Sequence, residues 1–306
     1  MIIIKKKICI YLTILKIKIL IILFSFSLWI IRNKIKKIKI GVIGLKHGDN
    51  IGNNLLKYAM DIKLKELGFD PYIIGMQWKN TNISFIINAV KLRIIKFNFS
   101  EIKKNDYDIL MVNSDQTWIK RDKHFYDHAF LNFAKNWNIT KFIYGASLGH
   151  DHWILTKKDE KIAKDNLKNF KSISFREKGT IKLVINHLGF KSTFVLDPTL
   201  LIDKKYYLNI IKNYKENINF KNNYIFTYLI YRNKKVNEFI NKVTSALNFK
   251  IYNVKKTSRD SIKRFIFGII NSKSVITDSY HGTLFSIIFN KPFLLIKIVT
   301  KKGLFL

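Results

Sequence analysis

The sequence predicts an α/β fold made of two Rossmann-like domains, each with a parallel sheet, and an active cleft between them. Three observations predict it. Short, continuously apolar strands alternate with helical segments, the pattern of a parallel sheet covered on both faces. The polar, chemically capable loops follow strands, so they fall on the carboxyl edge of each sheet, where open α/β sheets bind ligands. The alternation also breaks at a polar stretch and then starts again.

In order, "KIKIGVIG" reads as the first strand, its β-branched residues closing on Gly44. "NNLLKYAMDIKLKELG" reads as a helix, with Leu55, Tyr58, Ala59 and Ile62 at helical spacing and Gly68 as the stop. "PYIIGM", "DYDILMV" and "KFIYGASLG" follow as strands, the second running into the loop "NSDQTW". A polar helix near 157–170 leads to the strand "SISF", the loop "REKGT", the helix "IKLVINHLG" and the strand "TFVLD". From Pro198 to about Asn223 the chain reads as a polar crossover. The second series is strand "YIFTYLI", a helix near 233–247, strand "KIYNV", helix "DSIKRFIFGIIN", strand "SVIT", helix "LFSIIF" and strand "FLLIKI". The expected division is 1–38 as a hydrophobic, basic N-terminal segment, 39–200 as the first Rossmann-like domain and 201–306 as the second.

Composition sets the outer limits. With 48% hydrophobic residues in 306, the chain can bury two cores. The 55 Lys+Arg against 21 Asp+Glu give a formal net charge of +34, which favours anionic substrates and anionic membrane. The lysines are scattered among Ile and Asn rather than gathered in a stripe, which argues against a nucleic-acid partner. One cysteine, Cys9, excludes a disulfide framework and a Cys-based zinc site, and fits a reducing cytoplasm. Residues 1–38 are apolar with Lys on both flanks. Their clean apolar run, Ile19 to Ile31, is shorter than the about 20 residues a membrane span needs. The expectations are a helix in the cytoplasmic membrane interface, a weak signal anchor, or a helix packed on the body.

The loops carry the chemistry. "TDSYHGT" joins a strand to a helix, and the helix start offers free N–H groups and partial positive charge to a phosphate or carboxylate. Ser279 and Thr283 add hydroxyls, Gly282 lets a ligand approach the backbone, and His281 exchanges protons near neutral pH. The plainer reading is an N-cap beside an exposed histidine. "SFREKGT" sets Arg176 just past a strand, where a guanidinium can fork onto an anion; standing alone, the motif reads instead as a helix-start Glu with a solvent-facing Arg. "KHGDNIGNN" is Gly- and Asn-rich but lacks the dinucleotide fingerprint. In "NSDQTW", Asp115 and Gln116 could hold sugar hydroxyls with Trp118 as a stacking face; otherwise it is a tight turn with a core Trp. His124 and His128 share a helix face, and His150 and His152 lie close, but neither pair has a third ligand, so no metal site is expected.

Taken in order, "GDNIGNNLLKYAM", "VNSDQTW", "YGASLG", "SFREKGT", "VLDPTLL" and "VITDSYHGTLFSIIFNKPF" resemble the polysaccharide pyruvyl transferase family, from about residue 38 to 297. The resemblance implies a GT-B-like pair of domains and transfer of a pyruvyl group from phosphoenolpyruvate to a sugar of a cell-surface polysaccharide, as a ketal. No cofactor is implied, phosphoenolpyruvate being a co-substrate. His281 matches the motif histidine, as acid or phosphate donor, and Arg176 the "RE" arginine, as donor clamp. Ser279, Gly282 and Thr283 would line the phosphate pocket, and Asn50, Asn53, Asp115 and Gln116 would face the acceptor. The acceptor glycan would be lipid-linked or nucleotide-linked, at the inner face of the membrane. Some branches of the family carry Arg two residues before the His. Here Ser279 stands there, so one anion contact must come from elsewhere. The chain stops at "KIVTKKGLFL", where relatives usually continue with a closing helix, so a truncated second domain is expected. The rival readings are a glycosyltransferase of the same shape using a nucleotide sugar, and a non-enzymatic basic protein that binds membrane or nucleic acid.

Overall fold

Thirteen strands and eight α-helices alternate along the chain among the described residues. The structure is a computed structural model, and it describes residues 37–45, 50–76, 92–95, 99–216, 223–254, 260–297, 299–300 and 303–304. The N-terminal segment expected to associate with the membrane, the loop Lys46 to Asp49 and most of the last nine residues lie outside the described residues. Among the described residues no helix is long and apolar enough to cross a membrane.

The larger sheet has seven strands: β1 (Lys39–Ile43), β2 (Asp70–Met76), β3 (Leu92–Ile95), β4 (Ile109–Val112), β5 (Thr140–Ala146), β6 (Ser172–Phe175) and β7 (Thr193–Phe194). All pair in parallel, in the order β3-β2-β1-β4-β5-β6-β7. The smaller sheet contains β8 (Tyr224–Tyr228), β9 (Lys250–Asn253), β10 (Ser274–Thr277) and β11 (Phe293–Leu295), parallel throughout in the order β11-β10-β8-β9. A short antiparallel pair, β12 (Val299–Thr300) with β13 (Gly303–Leu304), follows. Strand order reverses between β1 and β4 in one sheet and between β8 and β10 in the other. Such switch points open a crevice at the carboxyl ends of the strands.

The helices are α1 (Ile51–Glu66), α2 (Phe125–Phe130), α3 (Lys157–Leu167), α4 (Lys178–Leu188), α5 (Lys204–Ile210), α6 (Lys234–Ala246), α7 (Ser261–Asn271) and α8 (Tyr280–Ile288). Helix α1 is buried on almost every side, from Ile51 to Asp61 without a break. Its cause is position: it packs on β2, on the Pro198–Leu200 turn and on α7 of the second series. One apolar cluster therefore runs from Ile40 and Val42, through Leu55 and Tyr58, to Tyr207, Phe265 and Phe285. A second cluster, including Val112, Trp118, Phe130 and Phe175, fills the other face of the larger sheet.

Three local expectations change. Trp118 is no stacking face: it is fully buried, edge-on to Phe130 at 5.0 Å and to Phe175 at 4.9 Å. The polar crossover contains helix α5, whose Tyr207 and Ile210 are core residues; its 3.6-residue pattern is too short to read against the surrounding Lys and Asn. The strand "TFVLD" shortens to two residues on the sheet edge. Asp197 ends it by accepting bonds from the Thr199 N–H (3.0 Å) and Oγ1 (2.7 Å), a side-chain turn that competes with the ladder.

Candidate active site

The loops after β1, β4, β6 and β7 and the start of α8 converge on one buried corner. Arg176 stands at its centre, one residue past β6, with its side chain only 3% exposed. Its Nη1 donates to Asp197 Oδ2 at 2.7 Å, its Nε to Glu177 Oε1 at 3.1 Å, and its Nη2 lies 3.5 Å from Asp115 Oδ1. The flat guanidinium covers the Tyr280 ring, 4.3 Å from its centroid. Burial draws the Arg176 pKa down, but Asp197, Asp115, Tyr280 and Glu177 outweigh it and raise the pKa above the usual range. Burial likewise pushes Asp197 up, and Arg176 and His281 more than reverse it, so its carboxyl is held below the ordinary value. Asp197 is thus a buried carboxylate, ionised because cationic groups surround it.

His281 completes the corner. It sits in the first turn of α8, buried, with Nε2 3.9 Å from Asp197 Oδ2. That nitrogen is enclosed and hydrogen-bonds to no described protein group. Burial lowers the ring's pKa, against the pull of Asp197 in the other direction. The first turn of α1 covers the ring. A Cβ on Gly52 would stand 2.2 Å from His281 Nδ1, so the glycine is what lets the two helix starts meet.

Each expected residue has a definite place. Asn50 caps α1, its Oδ1 accepting from the Asn53 N–H at 3.1 Å, so Asn50 and Asn53 flank the glycine over His281. Asp115 has a left-handed backbone, φ 102°, uncommon for a non-glycine residue and a form of stored strain. That conformation turns its carboxylate toward Arg176. Gln116 follows Asp115, its N–H donating to Asp115 Oδ1 at 2.8 Å, and holds Arg121, whose Nη2 donates to Gln116 Oε1 at 2.5 Å. Ser279 caps α8 by accepting the Gly282 N–H at 3.3 Å, and Thr283 Oγ1 donates to Ser279 O at 3.2 Å. Both hydroxyls therefore shape the helix start as well as lining it. Gly282 packs on β10, where a Cβ would fall 2.2 Å from Thr277 Oγ1. Asp278 ties the second switch point, accepting from the backbone N–H groups of Ile230 (2.6 Å) and Tyr231 (2.8 Å).

Reading by sequence gave no role to Asp197, Tyr280 or Arg121. Asp197 was visible as the Asp-Pro that follows a strand in "VLDPTLL", and Tyr280 as the neighbour of the motif histidine. The two histidine pairs do not join the corner. His124 and His128 are buried against Phe99 and Phe125, and the His150 and His152 rings lie tilted to each other at 5.2 Å. Among the described residues no group of three His, Cys, Asp or Glu could hold a metal.

The model of the family described as "Polysaccharide pyruvyl transferase" matches residues 50–298, a range that contains every residue of this corner. The chain belongs to that family. No curated protein matches this polysaccharide pyruvyl transferase family member. Solved structures share its fold. A putative UDP-N-acetylglucosamine 2-epimerase from Listeria monocytogenes is similar at TM-score 0.56 and 12% identity, over 86% of this chain and 80% of that one. A UDP-GlcNAc 2-epimerase from Methanocaldococcus jannaschii aligns at TM-score 0.54 and 13% identity, over 86% and 85%. UGT89C1 of Arabidopsis thaliana, complexed with UDP-L-rhamnose, aligns at 0.53 and 7%, over 85% and 79%. These likenesses establish the two Rossmann-like halves of the family member.

Proposed function

We propose that this family member transfers a pyruvyl group from phosphoenolpyruvate to a sugar of a surface polysaccharide and closes it as a ketal. The observation that carries the reading is the buried corner where His281, Asp197, Arg176, Tyr280 and Asp115 meet beneath the start of α1. It combines a proton-exchanging group with an ordered carboxylate at the carboxyl edge of parallel strands.

The chemistry needs a proton delivered to the methylene carbon of phosphoenolpyruvate. The central carbon then becomes cationic and a sugar hydroxyl attacks it, losing its proton. Phosphate leaves with the electrons of its C–O bond, and a second hydroxyl of the sugar adds to the same carbon and loses its proton. We assign the first proton to His281 Nε2, with Asp197 holding the protonated ring by its charge. A dianionic donor beside the ring adds further negative charge, which draws the lowered pKa of His281 back up when it is needed. Arg176 holds both Asp197 and Tyr280, which neighbour the His281 ring. The first turn of α8, with Ser279, Gly282 and Thr283, is the proposed phosphate cradle: Ser279 caps the Gly282 N–H, and the Tyr280 and His281 N–H groups ahead of it are too early in the helix for intrahelical partners. Asn50, Asn53, Asp115 and Gln116 form the proposed acceptor side. A lipid-linked or nucleotide-linked acceptor at the inner membrane face suits a chain of net charge +34.

Ligand-induced thermal stabilisation tests the donor. Phosphoenolpyruvate should raise the unfolding temperature, a panel of nucleotide sugars used as donors should not give turnover, and phosphate release should require the acceptor. A chain that is stabilised only by nucleotide sugars and turns one over would sink the reading in favour of a glycosyltransferase.

A further inference from the structure

The corner holds more negative than positive charge. Arg176 is engaged by Asp197, Glu177 and Asp115, so its charge is met within the protein. An entering ligand with a phosphate or carboxylate therefore meets carboxylates unless a further cation faces it. Lys57 does not serve: it is buried, donates Nζ to Leu45 O at 2.7 Å, and burial brings its pKa down to about 7. Arg232 turns to Thr227 Oγ1 at 3.0 Å, between β8 and the start of α6.

Arg121 is different. It lies in the loop between β4 and α2, at the switch point of the larger sheet. Gln116 grips it twice: Nη1 donates to the backbone carbonyl at 3.2 Å and Nη2 to the side-chain Oε1 at 2.5 Å. Both partners are neutral, and Arg121 makes no ion pair among the described residues. A guanidinium has five donor hydrogens, so this grip orients the group and leaves donors for a ligand. Arg121 is exposed, yet desolvation by the surrounding protein is the largest influence on it, followed by the charges of Asp115, Asp122 and Tyr231. Tyr231 belongs to the loop after β8, the switch point of the smaller sheet, which Asp278 holds in place. Arg121 thus lies in the switch-point loop of the larger sheet, at the carboxyl edge where open parallel sheets bind ligands.

We infer that Arg121 is an anion receptor of the cleft, taking a phosphate or carboxylate of the ligand that enters between the two sheets, with Gln116 as its positioning residue. The identity of that ligand rests on the proposed function; the receptor itself does not. The anion can come from the donor, as phosphoenolpyruvate, or from a diphosphate-linked acceptor.

Calorimetric titration of the full chain with phosphoenolpyruvate, UDP and inorganic phosphate separates these sources. The proteins are wild type, Arg121→Ala, Arg121→Lys, Gln116→Ala and, as a control for general loss of charge, the exposed Lys242→Ala. Arg121→Ala should weaken at least one anion about tenfold or more, the size expected for a charge-assisted fork. Arg121→Lys should recover part of the loss, Gln116→Ala should lose less than Arg121→Ala, and Lys242→Ala should bind as wild type does. A loss confined to phosphoenolpyruvate assigns Arg121 to the donor, and one confined to UDP assigns it to the acceptor. Equal affinities of wild type and a folded Arg121→Ala for all three anions, or no anion binding by folded wild type, overturns the inference. Wild type that binds UDP or phosphate through Arg121 but never phosphoenolpyruvate upholds the receptor and removes the proposed donor instead.

Discussion

His281 and Lys57 show how burial changes what a titratable side chain does. His281→Gln keeps the ring's approximate volume and removes its proton chemistry. Pyruvyl transfer should fall by about 10²–10⁴-fold, the usual size of a lost acid–base group. Its unfolding temperature should stay near that of wild type, because the variant leaves no charge buried. A variant that retains most of the turnover would take the acid role from His281. Lys57 makes a stability prediction. Its folded pKa is lowered to about 7, burial outweighing the attraction of Asp115, while an unfolded lysine titrates near 10.4. Between these values the unfolded chain binds the extra proton, so this group makes stability rise with pH from about 7 to about 10. Lys57→Met should flatten that rise. Urea unfolding at pH 6.5, 8 and 9.5 measures it, and parallel curves for the two proteins would show that Lys57 stays charged when folded.

At the scale of elements, the site depends on two helix starts that approach with only the His281 ring between them, because Gly52 brings no side chain from α1. Gly52→Ala places a methyl 2.2 Å from His281 Nδ1, inside contact distance of a buried ring. Either α1 or the ring must move, and overpacking of this kind costs about 1–3 kcal/mol. The expected outcome is a folded protein with a lower unfolding temperature and at least a tenfold loss of transfer, since a small displacement of a catalytic group is costly. Wild-type kinetics in Gly52→Ala would separate the α1 start from the chemistry. Most strands and helices here were legible in the sequence, because apolar runs closed by glycine and Ser, Thr, Asn or Asp caps are local signals. Helix α5, strands β3, β12 and β13 and the early end of strand β7 were not. Tyr207 is buried and Phe194 is on an exposed edge for reasons set by distant partners, and local pattern carries neither fact.

Over the whole molecule, the two sheets share one apolar cluster as well as one polar corner. Tyr207 is the hinge of that cluster, packed edge-on to Phe285 at 4.8 Å and tilted to Tyr58 at 6.3 Å, with its hydroxyl donating to Thr199 O at 2.8 Å. Tyr207→Ala opens a cavity among these rings and leaves the Thr199 carbonyl without its partner. It should cost about 3–5 kcal/mol, in line with other large aromatic truncations. Denaturant unfolding should show a lower midpoint, and a change in slope would reveal the two sheets unfolding separately. An unchanged midpoint would mean that the two halves are stable without this contact.

The sequence by itself determined the alternation of strands and helices, the restart of the series after Pro198, and the loops that carry His281, Arg176 and Asp115. Hydrophobic period, caps and motif residues are written in consecutive positions, so they survive without a structure. Only the tertiary structure decided that Arg176 is held by three carboxylates, that Asp197 stands beside His281, that Gly52 covers the ring, and that Arg121 is gripped by Gln116 and makes no ion pair among the described residues. Those facts depend on distances between loops far apart in the chain. Charge pairing and burial fall off within a few ångströms, and no local pattern encodes which distant loops will come that close.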